Sequence, residues 1–274
     1  MPTVESNGIS LHHTDTGGDG RPVVLIHGWP LSGASWSEQI PALTAAGYRV
    51  ITYDRRGFGE SEQPADGYDY DTLAEDLAGL LEALHVTDAT LVGFSMGGGE
   101  VARYLGTRGS ERVRSAVLAG AVPPFLLKTD DNPDGGMDVD AVESMKSGVR
   151  EDREGFLDDF STTFFGVDGE VKVTEEQRQD ALRLAAQARD EAVVACIDAF
   201  GTTDFRADLE RIDVPVLVLH GDSDAIVPIE VSGERSAQLI PDATLAVVPG
   251  GPHGFNVSHA DEFNRQLVEF LNRS

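Results

Sequence analysis

The sequence predicts an α/β fold in which helices flank a mostly parallel central sheet. Two observations lead to this prediction. Short apolar runs alternate with amphipathic helical patterns through the first half of the chain, and the runs at residues 23–26 and 89–92 are apolar at almost every position. Continuously apolar strands are typical of parallel sheets, because helices cover both faces of such a sheet. A chain of 274 residues is long enough for one large domain of this class, or for a domain with a sizeable insertion.

The strands are predicted from apolar runs taken in order along the chain. The first run, residues 9–12, indicates a strand in a leading hairpin. Further strands are predicted at residues 23–26, 48–53, 89–92, 113–119, 216–220 and 244–248. A closing helix follows the last strand, with Phe263, Leu267, Phe270 and Leu271 on one face.

Helical patterns lie between several of these strands. Over residues 72–84 the leucines at 73, 77, 80, 81 and 84 share one face, and Thr72 and Glu75 have the spacing of a capping box. A second helix is predicted over residues 101–105, after the strand at 89–92.

The strand pattern lapses between residues 123 and 204, where an acidic stretch is followed by helical patterns with a second capping-box pair, Thr174 and Gln177. We therefore expect an α/β core made of residues 1–122 and 205–274, with residues 123–204 inserted as a helical cap. Ligands of open α/β sheets bind at the carboxyl ends of the strands, so the cap is expected to wall a pocket there.

The chain is strongly acidic, with 47 acidic against 21 basic residues and a formal net charge of −26. Such a charge repels nucleic acid and anionic membranes, so neither is expected as a partner. Adaptation to high internal salt would select this composition, and lysine-poor coding bias would produce a similar one. The sequence leaves both explanations open.

The single cysteine, Cys196, lies in an apolar helical pattern and allows no internal disulfide, which fits a cytoplasmic protein. Neither a secretory signal nor a long apolar span is recognisable. Metal-ligand spacings such as Cys-x-x-Cys or His-Glu-x-x-His are missing from the sequence. We expect a cytoplasmic protein without a metal or another cofactor.

The segment Gly93-Phe-Ser-Met-Gly97 stands between a predicted strand and a predicted helix. This context favours a nucleophile elbow, in which a strained turn exposes the serine side chain. Glycines at 93 and 97 would let the strand and the helix pass close together. Ser95 is therefore the candidate nucleophile.

A nucleophilic serine needs a histidine base and a carboxylate that orients it, in the chain order serine, acid, histidine for this elbow. His253 lies in a glycine-rich loop after the last predicted strand and is the candidate base. His220 closes the preceding strand and is expected to be structural. Asp222 and Asp224 both follow that strand, and their spacing alone does not separate them.

Two backbone N–H groups are the candidate oxyanion hole. One belongs to Trp29, in the loop after the strand at residues 23–26, and the other belongs to Met96, directly after the nucleophile. Such donors are worth about 3 kcal/mol each in transition-state stabilisation.

Six segments taken together resemble the cofactor-free bacterial haloperoxidases and their aryl esterase, perhydrolase and γ-lactamase relatives, within the α/β-hydrolase superfamily. They are His27-Gly-Trp-Pro30, Tyr53-Asp-Arg-Arg-Gly-Phe-Gly59, Gly67-Tyr-Asp-Tyr-Asp71, Gly93-Phe-Ser-Met-Gly97, Asp130-Asp-Asn-Pro133 and Pro252-His253. The resemblance covers nearly the whole chain. It implies that Asp224 is the acid, since the motif of that family reads His-Gly-x-x-Asp, and that Asp54 and Arg56 are braces.

The resemblance implies a serine esterase that passes its acyl group to water, or to hydrogen peroxide to give a peracid that oxidises halide. Pro30, just after the oxyanion aromatic residue, is associated in that family with the use of peroxide; the alternative is a proline that only stiffens the loop. Amide or γ-lactam hydrolysis and a slow-turnover ligand receptor remain alternatives. Trimers or hexamers are the oligomers that the resemblance suggests.

The resemblance also suggests the walls of the acyl pocket, each of which could instead be core packing. The expected lining residues are Trp29, Pro30, Phe94, Val122, Phe164, Phe200 and Ile226.

Overall fold

The computed structural model describes residues 2–274 and places ten strands in that range. The strands are β1 (Thr3–Ser6), β2 (Ile9–Asp15), β3 (Pro22–Ile26), β4 (Arg49–Tyr53), β5 (Ala89–Phe94), β6 (Val113–Ala119), β7 (Gly166–Val167), β8 (Glu170–Val171), β9 (Val216–Gly221) and β10 (Ala243–Val248). Eight of them form one sheet in the order β1-β2-β4-β3-β5-β6-β9-β10. β1 and β2 pair antiparallel, and β2 pairs antiparallel with β4. The other neighbouring strands of this sheet, in the order β4, β3, β5, β6, β9 and β10, pair in parallel. The predicted mostly parallel sheet is confirmed.

Eleven α-helices lie within the same residues, besides one short 3-10 helix at Gly33–Trp36. They are α1 (Gln39–Ala45), α2 (Tyr70–Ala83), α3 (Met96–Arg108), α4 (Val139–Glu151), α5 (Arg153–Phe164), α6 (Glu175–Ala185), α7 (Asp190–Thr202), α8 (Arg206–Leu209), α9 (Gly233–Leu239), α10 (Phe255–Ser258) and α11 (Ala260–Leu271). α3 is longer than the predicted helix at residues 101–105, because it begins at Met96, continues through three glycines and ends at Arg108.

The sheet separates two apolar cores, as the strand periodicity of two requires. In β3, Val24 and Ile26 belong to the core that contains α2, α3 and α7, whereas Val23 and Leu25 belong to the core that contains α11. Both faces of the sheet are therefore covered by helices, which explains why its strands are apolar at nearly every position.

Of the two predicted capping boxes, the structure contains one and lacks the other. The pair Thr174 and Gln177 is confirmed at the start of α6, where each residue bonds the backbone N–H of the other. The pair Thr72 and Glu75 is wrong, because α2 begins at Tyr70 and the Asp69 side chain accepts the Thr72 N–H.

Residues 139–202 contain the helices α4 to α7 and also the small β7–β8 hairpin, which the sequence did not predict. Of the helices within residues 2–274, none has the length and apolar character needed to cross a membrane.

Candidate active site

Ser95 occupies a strained turn between β5 and α3. Its φ of 54° and ψ of −119° are rare for a residue with a side chain, and such conformations concentrate at functional sites. The flanking glycines allow the turn to be tight: a Cβ on Gly93 would lie 2.4 Å from the Gly97 carbonyl oxygen, and one on Gly97 would lie 2.4 Å from that of Ile26. The predicted close passage of strand and helix is present.

Ser95, Asp224 and His253 meet at the carboxyl edge of the sheet, since they follow β5, β9 and β10 respectively. The Ser95 Oγ atom lies 2.9 Å from His253 Nε2, and His253 Nδ1 lies 2.7 Å from Asp224 Oδ2. All three residues are buried. This geometry permits proton transfer from the serine to an imidazole whose other nitrogen faces a carboxylate.

Asp224, and not Asp222, contacts the histidine. Asp224 Oδ1 also accepts the backbone N–H groups of Ile226 and Val227 at 2.9 and 2.8 Å. Asp222 instead accepts the Gly250 N–H at 2.7 Å and supports the loop after β10. Burial raises the pKa of Asp224, but the facing imidazoles and the hydrogen bonds outweigh burial and hold that pKa well below its usual range.

His220 touches the same carboxylate from within β9. Its Nε2 lies 2.8 Å from the Val227 carbonyl oxygen, so it carries the proton there, and 3.3 Å from Asp224 Oδ2. The ring is fully buried, and its Nδ1 has no hydrogen-bond partner among the described residues. His220 thus packs behind Asp224, in keeping with a structural residue.

Two aromatic rings hold the imidazole of His253. Phe94 lies with its ring centroid 5.2 Å from that of His253, and Phe164 meets the imidazole edge to face at 5.0 Å. Both phenylalanines are buried. They restrict the rotation of the imidazole, so its two nitrogens stay directed at Ser95 and Asp224.

The backbone N–H groups of Trp29 and Met96 are free for an external acceptor. Within residues 2–274 neither donates a hydrogen bond to the protein. Met96 is the first residue of α3, where backbone N–H groups lack intrahelical acceptors and the helix dipole favours negative charge. Both donors are therefore suited to an oxyanion beside Ser95.

The loop that carries Trp29 is fixed by a buried histidine, His27. Its Nε2 accepts the Arg55 N–H at 3.0 Å, so Nδ1 carries the proton and donates to the Gly28 carbonyl oxygen at 2.9 Å. Burial, and then the charge of Arg55, hold the pKa of His27 well below its usual range. The imidazole is consequently neutral, as this hydrogen-bond pattern requires.

Arg55 connects this loop to the helix of the candidate nucleophile. Its guanidinium donates to the His27 carbonyl oxygen at 2.8 Å and to Glu100 of α3 at 2.9 Å, and all three residues are almost completely buried. Asp54 and Arg56, expected as braces, bond the Gly33 N–H and Asp76 respectively. The sequence analysis assigned a role to the residues on either side of Arg55 and none to Arg55 itself, which links the loop of Trp29 to the helix that begins at Met96.

A cavity of about 450 Å³ opens onto Ser95 and His253. Four of the seven predicted wall residues line it: Trp29, Val122, Phe200 and Ile226. Trp29 is held there by its indole N–H, which donates to the Val193 carbonyl oxygen of α7 at 3.0 Å. Its ring also packs against Phe160 and Phe200.

The other three predicted wall residues do not line the cavity. Phe94 and Phe164 are turned against the imidazole of His253, as described above. Pro30, which follows Trp29 through a cis peptide bond, faces a small apolar void next to Phe160 and Phe164 instead. Phe94 ends β5, Phe164 ends α5 and Pro30 lies in the loop after β3, but the direction of each side chain depends on packing that the sequence does not reveal.

Nine further residues line the cavity and were not predicted. They are Leu126, Met137, Met145, Phe156, Asp159, Phe160, Thr163, Ala225 and Val227. Most are apolar residues on helices or loops over the sheet edge, where sequence periodicity indicates burial and does not distinguish a cavity wall from a packed core. The wall is largely apolar, and Asp159 supplies the one carboxylate among these lining residues.

No group of three or more His, Cys, Asp or Glu side chains within residues 2–274 is arranged to hold a metal ion.

Comparisons with known proteins place the chain in a family. Residues 21–260 match the model of the alpha/beta hydrolase fold, and the chain belongs to that family. Among curated proteins it is 47% identical to a non-heme chloroperoxidase of Kitasatospora aureofaciens, covering 97% of this chain and 98% of the relative. It is 38% identical to a bifunctional esterase/perhydrolase of Acinetobacter calcoaceticus, covering 97% of each. A solved bromoperoxidase from Bacillus anthracis superposes with a TM-score of 0.94 at 54% identity, covering 96% of each chain.

Proposed function

We propose that this protein is a serine esterase with perhydrolase activity. The observation that carries the proposal is the 2.9 Å contact between Ser95 Oγ and His253 Nε2 at the floor of a largely apolar cavity. The named relatives support it, since they include an esterase/perhydrolase and non-heme chloroperoxidases.

In the proposed mechanism, Ser95 Oγ attacks the carbonyl carbon of an ester while His253 Nε2 takes the hydroxyl proton. Asp224 stabilises the resulting imidazolium and keeps the imidazole oriented. The oxyanion accepts hydrogen bonds from the Trp29 and Met96 N–H groups, each worth about 3 kcal/mol. His253 then gives its proton to the departing alcohol. The acyl group stays bound to Ser95 Oγ as an ester.

The acyl group is next transferred to a second nucleophile, which His253 deprotonates. Water gives the carboxylic acid, and hydrogen peroxide gives a peracid. The peracid then oxidises halide in solution, so halide needs no binding site of its own. Pro30 lies outside the cavity wall, and in this proposal it affects the choice between water and peroxide only through Trp29, its neighbour in the chain.

The remaining parts of the proposal concern the cell and the assembly. We propose a cytoplasmic protein, on the basis of its single buried cysteine. The resemblance to the haloperoxidases supports a trimer or hexamer, which sedimentation equilibrium would test.

The experiment that tests the function follows two products in one preparation: p-nitrophenol released from p-nitrophenyl acetate, and peracid detected through bromide oxidation when peroxide is added. We expect both activities in the native protein and neither in Ser95→Ala. Ester binding without turnover would contradict the proposal and favour a ligand receptor. Ester turnover without bromide oxidation would limit the function to that of an esterase.

A further inference from the structure

Two methionine side chains line the cavity that contains Ser95 and His253. Met137 precedes α4 and Met145 lies within it, and both are partly exposed. The other two sulfur-containing residues within residues 2–274, Met96 and Cys196, are completely buried. The accessible thioethers of the described chain are thus concentrated where the proposed function generates an oxidant.

The backbone holds both thioethers in the wall. The Met137 N–H donates to the Leu126 carbonyl oxygen at 2.9 Å, and the Met137 carbonyl oxygen accepts the Lys128 N–H at 2.6 Å. Met145 is fixed by its place in the second turn of α4, a helix that packs against α7. Neither side chain belongs to a free loop that swings away from the cavity.

We propose that Met137 and Met145 are sites of self-oxidation during perhydrolysis. This inference rests on the peroxide branch of the proposed function. The peracid, formed at Ser95, transfers its terminal oxygen to the thioether sulfur: the O–O bond breaks, an S–O bond forms, and the proton of the peroxy group passes to the departing carboxylate to give the carboxylic acid. Sulfur loses two electrons and the peroxy group gains them, so a peracid and a thioether become a carboxylic acid and a sulfoxide.

The cavity favours this reaction over oxidation by peroxide alone. A carboxylate leaves more readily than hydroxide, so a peracid is the stronger donor of oxygen, and here it is formed beside the two sulfur atoms. The sulfoxide is polar and chiral, and it places a further polar group in a largely apolar wall. Oxidation therefore weakens the binding of apolar acyl groups, and turnover with peroxide limits itself until the sulfoxide is reduced.

The test compares peptide maps of the protein after incubation with ester and peroxide, with peroxide alone, and with preformed peracid. Val139→Met supplies a matched reporter, since residue 139 is 60% exposed and is not part of the cavity wall. With ester and peroxide, we expect sulfoxide at Met137 and Met145 to form several-fold faster than at the reporter and several-fold faster than with peroxide alone. With preformed peracid, the reporter should be oxidised at least as fast as the two cavity residues.

A second measurement uses the double variant Met137→Leu/Met145→Leu, which nearly conserves side-chain volume. The rate of ester hydrolysis is followed over time with peroxide present, and each protein is compared with its own initial rate. We expect this rate to decline several-fold more slowly in the double variant than in the native protein. If bromide oxidation shows peracid while Met137 and Met145 stay unmodified, the inference is overturned and the proposed function stands. If ester is hydrolysed but no peracid forms at all, the inference is overturned and the proposed function is limited to that of an esterase.

Discussion

Asp224 Oδ2 lies 2.7 Å from His253 Nδ1, while the other carboxylate oxygen of Asp224 accepts two backbone N–H groups. The backbone bonds fix the carboxylate plane independently of the histidine. The imidazole is therefore oriented by a carboxylate that does not itself depend on the imidazole for its position.

The first prediction compares two aspartates that are two residues apart. Asp224→Asn should lower kcat by about 10³–10⁴-fold, because an amide favours the wrong imidazole tautomer and removes the charge facing the imidazolium. Asp222→Asn, which alters only a loop contact to Gly250, should cost far less. Steady-state hydrolysis of p-nitrophenyl acetate measures both, with circular dichroism as the folding control. A larger loss in Asp222→Asn would reverse the assignment of the acid.

The second prediction concerns acid stability. Because the pKa of Asp224 is held below its usual range in the folded state, its ionisation stabilises the fold above the unfolded pKa of about 3.9. This contribution is lost as the pH falls from there towards the folded pKa. The difference in unfolding free energy between the native protein and Asp224→Asn should therefore shrink between about pH 5 and pH 2. Urea titrations at several pH values measure it, and a constant difference would contradict the prediction.

The third prediction concerns the exposed carboxylate of Asp159 in the cavity wall. Asp159→Asn should raise kcat/KM for esters with an anionic acyl group, by up to about fivefold, since an exposed charge pair contributes about 0.2–1 kcal/mol. Neutral esters of similar size should change little. Glu154→Gln is the matched control, because Glu154 is also exposed on α5 but does not line the cavity. Equal effects of the two variants would assign the change to the net charge of the protein.

The fourth prediction concerns the net charge of −26. Repulsion among uncompensated carboxylates is screened by salt, so the thermal midpoint should rise by more than about 4 °C between low and molar potassium chloride. For a chain of this length, such a rise corresponds to a gain of about 2 kcal/mol or more in the free energy of unfolding. Differential scanning calorimetry with matched buffers measures the midpoint. A flat response would leave lysine-poor coding bias as the explanation for the composition.

The sequence predicted the sheet and pointed to Ser95 and His253 as candidate site residues because these features depend on local signals, whereas the choice of Asp224 came from the family resemblance. The apolar run at residues 89–92, the glycines at 93 and 97 and the position of His253 after the last strand are each recognisable without knowledge of the fold. The start of α2 was misplaced for the opposite reason. Tyr70 extends the buried face of that helix by packing against Phe205 and donating to the Met96 carbonyl oxygen, and both partners are distant in sequence.

The cavity wall was predicted only in part, and α5 shows why. Phe156, Phe160 and Phe164 recur every four residues on one face of this helix, so their periodicity is identical. The first two line the cavity, whereas the third turns against the imidazole of His253. The difference arises from the side chains that the helix meets, and no pattern within residues 153–164 contains that information.

The central claim is that Ser95 carries the acyl group in an intermediate shared by hydrolysis and perhydrolysis. Its most direct test is mass spectrometry of the protein quenched during turnover of p-nitrophenyl acetate, with peptide mapping of the added acetyl mass. We expect the acetyl group on Ser95, at an occupancy that falls when hydrogen peroxide is added as a second acceptor, and no acetylation at this site in Ser95→Ala. Acetylation at another residue, or turnover that persists in Ser95→Ala, would contradict the account.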